Sequence, residues 1–326
     1  MKNRNFKVAS LFCGCGGSDL GMIGNFQYLN KQYQKLNFDI VYAVDCDKWA
    51  VETYNDNFSH KAIIADVVDE DFTTIPDIDV MIGGFPCQSF STVNPIKDTN
   101  DARANLYKEI VRFLQIKQPK YFICENVKGL LTLQKGNIIK KITSEFENAG
   151  YKVQYKLLKA VEFGIPQKRE RVIIVGIRND ISCHFEFPKS ICSETNGFTP
   201  LSDVIDELAI TEQKYYFSQR AVEGMKNAKN NMKRGLWQRL DSPCLTITSH
   251  LAKTSINSRD PLLLVNPETE LYRRFTPREA ARIQSFPDNF ILNKSETKAY
   301  KQIGNAVPPV LMWHIAKALQ EAINKS

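Results

Sequence analysis

The chain has 326 residues, of which 43% are hydrophobic and 24% are charged, and its net charge is +7. This length is sufficient for one large domain and a smaller one, and no apolar stretch reaches the length of a membrane span. Only four histidines and no CxxC pair are present, which argues against a zinc site. The eight cysteines need not form disulfides, because a chain of this length can build a sufficient apolar core. No signal peptide is visible, so we expect a protein of the reducing cytoplasm that holds no metal and does not associate with membranes.

The first half of the chain alternates short apolar runs with helical patterns, which is typical of a doubly wound α/β sheet. The predicted strands are Val8–Phe12, Ile40–Val44, Lys61–Ile64, Asp79–Ile82, Tyr121–Cys124, Lys152–Leu158 and Arg171–Ile177. The predicted helices are Asp47–Asn57, Arg103–Lys117 and Ile138–Ala149, the last ended by Gly150. A Rossmann-like sheet of this kind predicts a ligand site at the carboxyl ends of its strands.

The pattern loosens after Pro188, where polar runs mix with short strand-like pieces. We therefore predict a small domain over residues 189–290, and a catalytic and cofactor-binding domain formed by residues 1–188 and 291–326. The segment from Gln213 to Asp260 contains nine Lys or Arg residues and three Asp or Glu residues. This excess of positive charge predicts a phosphate-contacting surface, although a solvated basic face has the same composition.

The end of the chain shows helix signals again. Pro277–Gln284 is predicted to be a short helix, because Thr276 can cap it and proline suits its first position. Gln302–Pro309 is predicted to be a loop, and Val310–Ile323 a final amphipathic helix.

A glycine-rich turn follows the first predicted strand and contains Gly14, Gly16 and Gly17. Such a turn allows the backbone to approach a nucleotide closely, but it does not separate NAD from S-adenosylmethionine. Asp45 ends the second strand and Asp66 the third, where carboxylates can accept hydrogen bonds from ribose hydroxyls or an adenine amino group. Either acid could instead cap a helix.

Cys87 follows another buried strand at once, after Gly83-Gly84 and Pro86. A thiol at the carboxyl end of a strand is a candidate nucleophile, because its thiolate attacks well once its pKa is lowered. The alternative is a small buried thiol without chemical function.

Six segments together resemble a known family. They are Ser10–Gly21, Val80–Ser91, Glu125-Asn126-Val127, Gln167–Arg171, Arg274–Arg282 and Gly304–Pro309. In this order and spacing they resemble the DNA cytosine methyltransferases that modify carbon 5. The resemblance spans about residues 8–183 and 271–318 and is specific because six motifs occur in one order.

The resemblance implies S-adenosylmethionine as cofactor and S-adenosylhomocysteine as product. It places Phe12 against the adenine, Asp45 on the ribose and Asp66 at the adenine edge. The implied cofactor residues are Phe12, Gly14, Gly16, Gly17, Asp45, Cys46, Asp66, Val67, Pro86, Leu106, Asn305 and Val307. Two of them depart from the family, in which the ribose acid is commonly glutamate and the residue after it is often aromatic.

The resemblance also implies the catalytic residues. Cys87 would add to carbon 6 of cytosine, and Glu125 would stabilise the charge that develops at ring nitrogen 3. Arg169 and Arg171 would supply fixed donors near the base, with Arg171 at oxygen 2. Surface ion pairs are the alternative role of the two arginines.

The target carbon is inaccessible in a duplex, so the base must be flipped out. The polar stretch Ser89–Arg103 resembles the family's mobile catalytic loop, which closes over the flipped base. The residues predicted to contact DNA are Ser89, Ser91, Lys97, Arg103, Lys229, Lys233, Arg234, Gln238, Arg239 and Lys253. Arg274, Arg278 and Arg282 are predicted to brace the small domain or touch the DNA backbone.

The sequence therefore predicts a monomeric DNA (cytosine-5)-methyltransferase acting on a specific site in double-stranded DNA. Its compact size favours the modification enzyme of a restriction system, with a cognate endonuclease acting on the same site. A tRNA cytosine-5 methyltransferase is an alternative, against which the basic segment before Arg274 argues. A catalytically inactive DNA-binding protein is a second alternative, against which the intact Cys87, Glu125 and Arg171 argue.

Overall fold

The computed structural model describes residues 5–85, 106–195, 197–227, 237–253 and 261–326. Several predicted site residues lie outside these ranges, namely Pro86, Cys87, Ser89, Ser91, Lys97, Arg103, Lys229, Lys233 and Arg234. The described residues that flank them define the surroundings of the site.

A seven-stranded sheet forms the centre of the described chain, in the order β5-β4-β1-β6-β7-β9-β8. Its strands are β1 (Phe6–Leu11), β4 (Phe38–Asp45), β5 (Ile63–Ile64), β6 (Val80–Gly83), β7 (Tyr121–Val127), β8 (Tyr151–Lys159) and β9 (Glu170–Arg178). Each corresponds to one of the seven predicted strands. Between β1 and β4 lies a short hairpin that was not predicted, formed by β2 (Phe26–Tyr28) and β3 (Lys31–Tyr33).

The strands from β5 to β7 are parallel, whereas β9 runs antiparallel to both β7 and β8. Strand β1 lies inside the sheet and pairs with β4 on one side and with β6 on the other. The strand order therefore reverses direction at β1. Such a point of reversal leaves a crevice at the carboxyl ends of the strands, where ligands bind in open α/β sheets.

Helices cover both faces of the sheet. The helices of the described chain are α1 (Gly17–Ile23), α2 (Lys48–Asn57), α3 (Leu106–Lys117), α4 (Asn137–Asn148), α5 (Gln219–Lys226), α6 (Pro277–Ile283), α7 (Glu296–Asn305) and α8 (Pro309–Asn324). The predicted helices over residues 47–57, 138–149, 277–284 and 310–323 are confirmed to within two residues at each end. Gly150 follows α4 with φ 102°, and its amide donates to Glu147 O, which confirms it as the helix stop.

Alternate residues of each strand enter two separate cores, as the pleat of a strand requires. Val8 and Ile123 belong to a core that contains residues of α1, α2 and α8, such as Met22 and Leu311. Ala9, Leu11 and Phe122 belong to the other, which contains Phe113 of α3 and Ile142 of α4. The result is a three-layer sandwich, which confirms the predicted doubly wound architecture.

The described part of residues 189–290 packs mainly on the first of these cores. Cys244, Ile247 and Phe275 are buried in it together with residues of α8. Two short strands of this region, β10 (Leu263–Asn266) and β11 (Leu271–Arg273), form an antiparallel hairpin. A small separate cluster of Val222, Leu262 and Tyr272 marks the beginning of an independent core. The division at residues 188 and 290 therefore stays a prediction.

The predicted loop over Gln302–Pro309 is wrong in its first half. Helix α7 extends through Asn305, and only Ala306 to Pro308 connect it to α8. Glycine is required within this helix, because Gly304 is buried against the backbone of Thr248 and Ser249, where a side chain does not fit.

No helix within the described ranges is both long enough and apolar enough to cross a membrane.

Candidate active site

The glycine-rich turn lies at the carboxyl end of β1. Phe12 begins it in the left-handed region, with φ 56°. A Cβ atom on Gly16 would lie 2.3 Å from the ring of Phe58, and one on Gly17 would lie 2.5 Å from Val307 O. Both positions require glycine because a side chain would clash with these neighbours. The close approach at Gly17 places Val307, a predicted cofactor residue, against the turn.

Asp45 at the end of β4 organises this turn. Its Oδ2 accepts a hydrogen bond from Gly14 N at 2.9 Å, and its Oδ1 accepts one from Asp47 N at 2.8 Å. Burial raises the pKa of Asp45, and these two backbone hydrogen bonds oppose that rise. The N-cap of α2 is Asp47, which accepts from Trp49 N, so the helix-capping alternative for Asp45 does not hold. Each carboxylate oxygen keeps a second lone pair for a ligand hydroxyl.

The predicted adenine-binding residues lie around the next strand ends. Asp66 is exposed, and its Oδ1 accepts from Val68 N at 3.1 Å, which closes a turn after β5. Val67 is buried in the second core, and Phe12 and Leu106 pack half-buried against the same core. Phe12, Val67 and Leu106 thus contribute to the same apolar core, and Asp66 directly precedes Val67 in the chain.

Two further predicted cofactor residues lie at the rim of this crevice. Cys46 is exposed between Asp45 and Asp47, and partial desolvation of its thiol, together with the nearby carboxylates of Asp45 and Asp66, raises its pKa. Asn305 is exposed at the end of α7, two residues before Val307.

The predicted acid Glu125 lies beside the chain that leads into Cys87. Asn126 Nδ2 donates to Phe85 O at 3.0 Å, and this bond is buried. A Cβ atom on Gly84 would lie 3.3 Å from Glu125 Oε2. The residues directly before Pro86-Cys87 are therefore fixed against Glu125 and Asn126.

Arg171 pairs with Glu125 across the antiparallel strands β9 and β7. Arg171 Nε lies 2.6 Å from Glu125 Oε1, and the two side chains are only 12% and 16% exposed. Glu125 Oε1 is buried and accepts no well-aligned hydrogen bond from the described residues. The 2.6 Å contact with the Arg171 guanidinium nevertheless occupies this oxygen, so the ion pair holds the Glu125 carboxylate in place.

Arg169 is placed differently from its neighbour. Its Nη1 donates to Ile247 O at 3.1 Å, and its Nη2 donates to Gly304 O and Ala306 O at 3.0 and 2.9 Å. Burial lowers its pKa well below the ordinary value, and the nearby Arg171 adds to that effect. Arg169 thus ties β9 to the small-domain segment and to the connection before α8. Its Nε is buried without a partner among the described residues.

Two buried glutamines, which sequence reasoning missed, complete this connection. Gln167 accepts from Ile247 N at 2.9 Å and donates to Gln284 Oε1 at 2.6 Å, and Gln284 donates to Ala306 O at 2.5 Å. With Arg169 these side chains form a closed ring of hydrogen bonds among four distant segments. The spacing of Gln167 and Arg169 by two residues was the available signal, because alternate residues of an extended segment share a side.

The described DNA-contact candidates lie in the segment that follows Trp237. Gln238 accepts from Leu245 N at 3.0 Å, and Arg239 donates from Nε to Asp241 Oδ1 at 2.8 Å. The Arg239–Asp241 pair is exposed, so a DNA partner can replace it. Lys253 ends a short 3-10 helix.

The three arginines around α6 make the bracing contacts that the sequence predicted. Arg274 donates to Ala252 O, and Arg278 donates to the carbonyl groups of Pro287 and Phe290. Arg282 pairs with Asp206 and Asp288.

The fold itself belongs to a known class of enzymes. Dnmt2 methyltransferase of S. pombe superposes with a TM-score of 0.78 at 21% identity, covering 98% of this chain and 100% of that one. A putative DNA modification methyltransferase encoded within an E. coli prophage gives a TM-score of 0.72 at 22% identity, over 98% and 100% of the two chains. The chain thus shares its fold with these two methyltransferase structures.

Sequence comparison narrows this class. The model of the C-5 cytosine-specific DNA methylase family matches residues 6–321. Type II methyltransferase M.NgoFVII of Neisseria gonorrhoeae is 35% identical over 96% of this chain and 86% of its own length. Type II methyltransferase M1.ScrFI of Lactococcus lactis subsp. cremoris is also 35% identical, over 100% and 80%. The chain belongs to the C-5 cytosine-specific DNA methylase family, which confirms the resemblance seen in its six motifs, and its substrate is DNA.

Proposed function

We propose that the chain methylates carbon 5 of a flipped-out cytosine in a specific duplex sequence through a covalent adduct with Cys87. The observation that supports this most directly is the anchoring of Phe85 O by Asn126, with Glu125 beside Gly84. This hydrogen bond keeps Gly84 and Phe85, which directly precede Pro86-Cys87, next to the ion pair of Glu125 and Arg171.

In this proposal each residue has a distinct role. The Cys87 thiolate adds to carbon 6, and Glu125 stabilises the charge that develops at nitrogen 3, while Arg171 donates to oxygen 2. When bound, S-adenosylmethionine supplies the methyl group for carbon 5. A base then removes the carbon 5 proton, and elimination of the cysteine restores the aromatic ring. Arg169 acts as a positioning residue, since its Nη atoms are engaged by carbonyl groups.

The residues of the crevice fit S-adenosylmethionine. Asp45 is held by Gly14 and Asp47 with acceptor capacity remaining for the ribose hydroxyls. Asp66 is exposed for the adenine amino group, and Phe12 and Leu106 offer apolar surface for the ring.

We also propose that the protein is a monomer of the cytoplasm and the modification enzyme of a restriction system. The 35% identical relatives are named Type II methyltransferases, which supports this setting. A cognate endonuclease would then cleave the same site when it is unmethylated.

Trapping on a duplex that contains 5-fluorocytosine tests the chemistry, because fluorine blocks the final elimination. With S-adenosylmethionine present, the wild type should form a covalent adduct that survives denaturing electrophoresis. Cys87→Ala should form none and should transfer no methyl group, yet it should bind S-adenosylhomocysteine normally. An adduct in the Cys87→Ala variant, or none in the wild type during turnover, would contradict the proposal. Methyl transfer to tRNA and not to duplex DNA would favour the alternative substrate.

A further inference from the structure

Arg112, in the middle of α3, binds the backbone of the turn that follows β5. Its Nη2 donates to Val67 O at 2.6 Å and its Nη1 donates to Glu70 O at 2.8 Å. Its Nε donates to Glu109 Oε2 at 2.7 Å, and its guanidinium carbon lies 4.1 Å from the ring centre of Phe72. All three nitrogen atoms of the Arg112 guanidinium group therefore donate hydrogen bonds, and two of them hold the carbonyl groups of Val67 and Glu70 in place.

The turn that Arg112 holds carries Asp66 at its start. The Asp66 carboxylate closes the turn through Val68 N. On the other side, Tyr42 OH of β4 donates to Glu70 Oε2 at 2.5 Å. The turn has no regular secondary structure of its own, so these contacts decide where the Asp66 carboxylate lies relative to β4 and β5.

Only an arginine can hold the turn in this way. Its planar fork delivers parallel donors to two separate carbonyl groups, whereas a lysine ammonium is a single point of donation on a flexible stem. The cation also stacks on Phe72, which restricts its rotation.

We propose that Arg112 is a positioning residue for the cofactor, which fixes the Asp66–Glu70 turn so that Asp66 accepts from the exocyclic amino group of adenine. This inference rests on the proposed role of the crevice in binding S-adenosylmethionine. It adds a residue that lies outside the six motifs and connects α3 to the adenine edge.

The test compares S-adenosylhomocysteine with its analogue in which unsubstituted purine replaces adenine, so that the two ligands differ only by the exocyclic amino group. Their affinities are measured by calorimetry. The wild type should prefer S-adenosylhomocysteine about tenfold, as expected for one hydrogen bond to a charged acceptor. Arg112→Lys should reduce this preference to about twofold by weakening S-adenosylhomocysteine alone. In steady-state assays its KM for S-adenosylmethionine should rise, while kcat and the KM for DNA stay unchanged.

Arg178→Lys is the matched control, because Arg178 also binds a backbone carbonyl, that of Gln118 just beyond the other end of α3. It should keep the full preference between the two ligands. Asp66→Ala should abolish the preference, and adding Arg112→Lys to it should cause no further weakening. The test uses Arg112→Lys because lysine keeps the positive charge and most of the side-chain volume, so this variant is expected to fold.

The outcomes distinguish a failure of the proposed role of Arg112 from a failure of the proposed cofactor site. Equal weakening of both ligands in Arg112→Lys, or an unchanged preference, would overturn the role of Arg112. A wild type that binds both ligands equally would also overturn it, since Asp66 would then not contact the amino group. A wild type that binds neither ligand would overturn the proposed cofactor site itself.

Discussion

Asp19 is a buried carboxylic acid beside the crevice whose ionisation is strongly altered by folding. It lies in the first turn of α1, directly behind the glycine-rich turn, and is completely buried. Ser10 Oγ donates to its Oδ2 and Tyr54 OH donates to its Oδ1, each at 3.0 Å. Burial nevertheless raises its pKa from 3.8 to about 7.

This shift predicts a pH dependence of stability. Between pH 3.8 and about 7 the folded chain keeps a proton that the unfolded chain has released. The contribution of Asp19 to the free energy of unfolding is therefore fully present at low pH and is lost as the pH rises through about 7, by up to about 4 kcal/mol. Asp19→Asn should flatten this decline in urea titrations at several pH values. A variant with the same pH profile as the wild type would show that Asp19 titrates normally.

Asp45→Ala should weaken S-adenosylmethionine binding by about 1–3 kcal/mol, because it removes the acceptor for the ribose and releases Gly14 N. Asp47→Asn is the matched control, since it keeps an acceptor for Trp49 N and lies outside the predicted contacts. Unchanged affinity of the Asp45→Ala variant in calorimetry would show that the ribose is held elsewhere.

At the scale of secondary-structure elements, α6 is anchored by a buried ion pair. Arg273, the last residue of β11, donates two hydrogen bonds to Glu279, at 2.8 and 2.7 Å, and their side chains are 0% and 7% exposed. Glu279 also accepts from Thr276 N and completes a capping box. The pair therefore fixes the start of α6 against β11.

Removing one partner should be costly, because it strands a buried charge. Arg273→Met should lower the free energy of unfolding by about 3–5 kcal/mol, measured by urea denaturation. The double variant Arg273→Met/Glu279→Gln should recover part of that stability. If the double variant is as unstable as the sum of the single variants, the two residues do not act as a pair.

The elements that were predicted well are those in which local pattern and burial coincide. The central strands β4, β1, β6 and β7 are mostly apolar, and a parallel sheet covered on both faces requires such strands. The sequence predicted no helix over α7, and it predicted a loop over the last turn of that helix, Gln302–Asn305. The stability of α7 comes from contacts with α2 and α6 that no local pattern reveals.

At the scale of the whole molecule, the charge excess over residues 213–260 predicts where DNA lies. Replacing Lys229, Lys233 and Arg234 together with Gln should weaken binding to all duplexes. Each phosphate that is no longer neutralised should reduce the slope of log affinity against log salt by about one unit, because one fewer counterion is released on binding. The slope of the triple variant should therefore fall by up to about three units.

A control with the same change of charge is available at the amino ends of the strands, away from the crevice at their carboxyl ends. Lys7, Lys152 and Lys325 are exposed near the amino ends of the strands and the end of α8. Replacing these three with Gln should leave the slope unchanged. Equal slopes for the wild type and the Lys229/Lys233/Arg234 variant would place the DNA elsewhere.

The sequence by itself determined the family and the doubly wound sheet, and it predicts most residues of the proposed cofactor crevice. These follow from short motifs, because a turn such as the one at Gly16-Gly17 and a carboxylate such as Asp45 act where their own strand ends. The tertiary structure decided how distant segments meet. The ring of Gln167, Arg169 and Gln284 and the contact of Arg112 with the turn after β5 join residues far apart in the chain. Their partners are mostly backbone carbonyl groups, which every residue carries, so no sequence pattern can specify them.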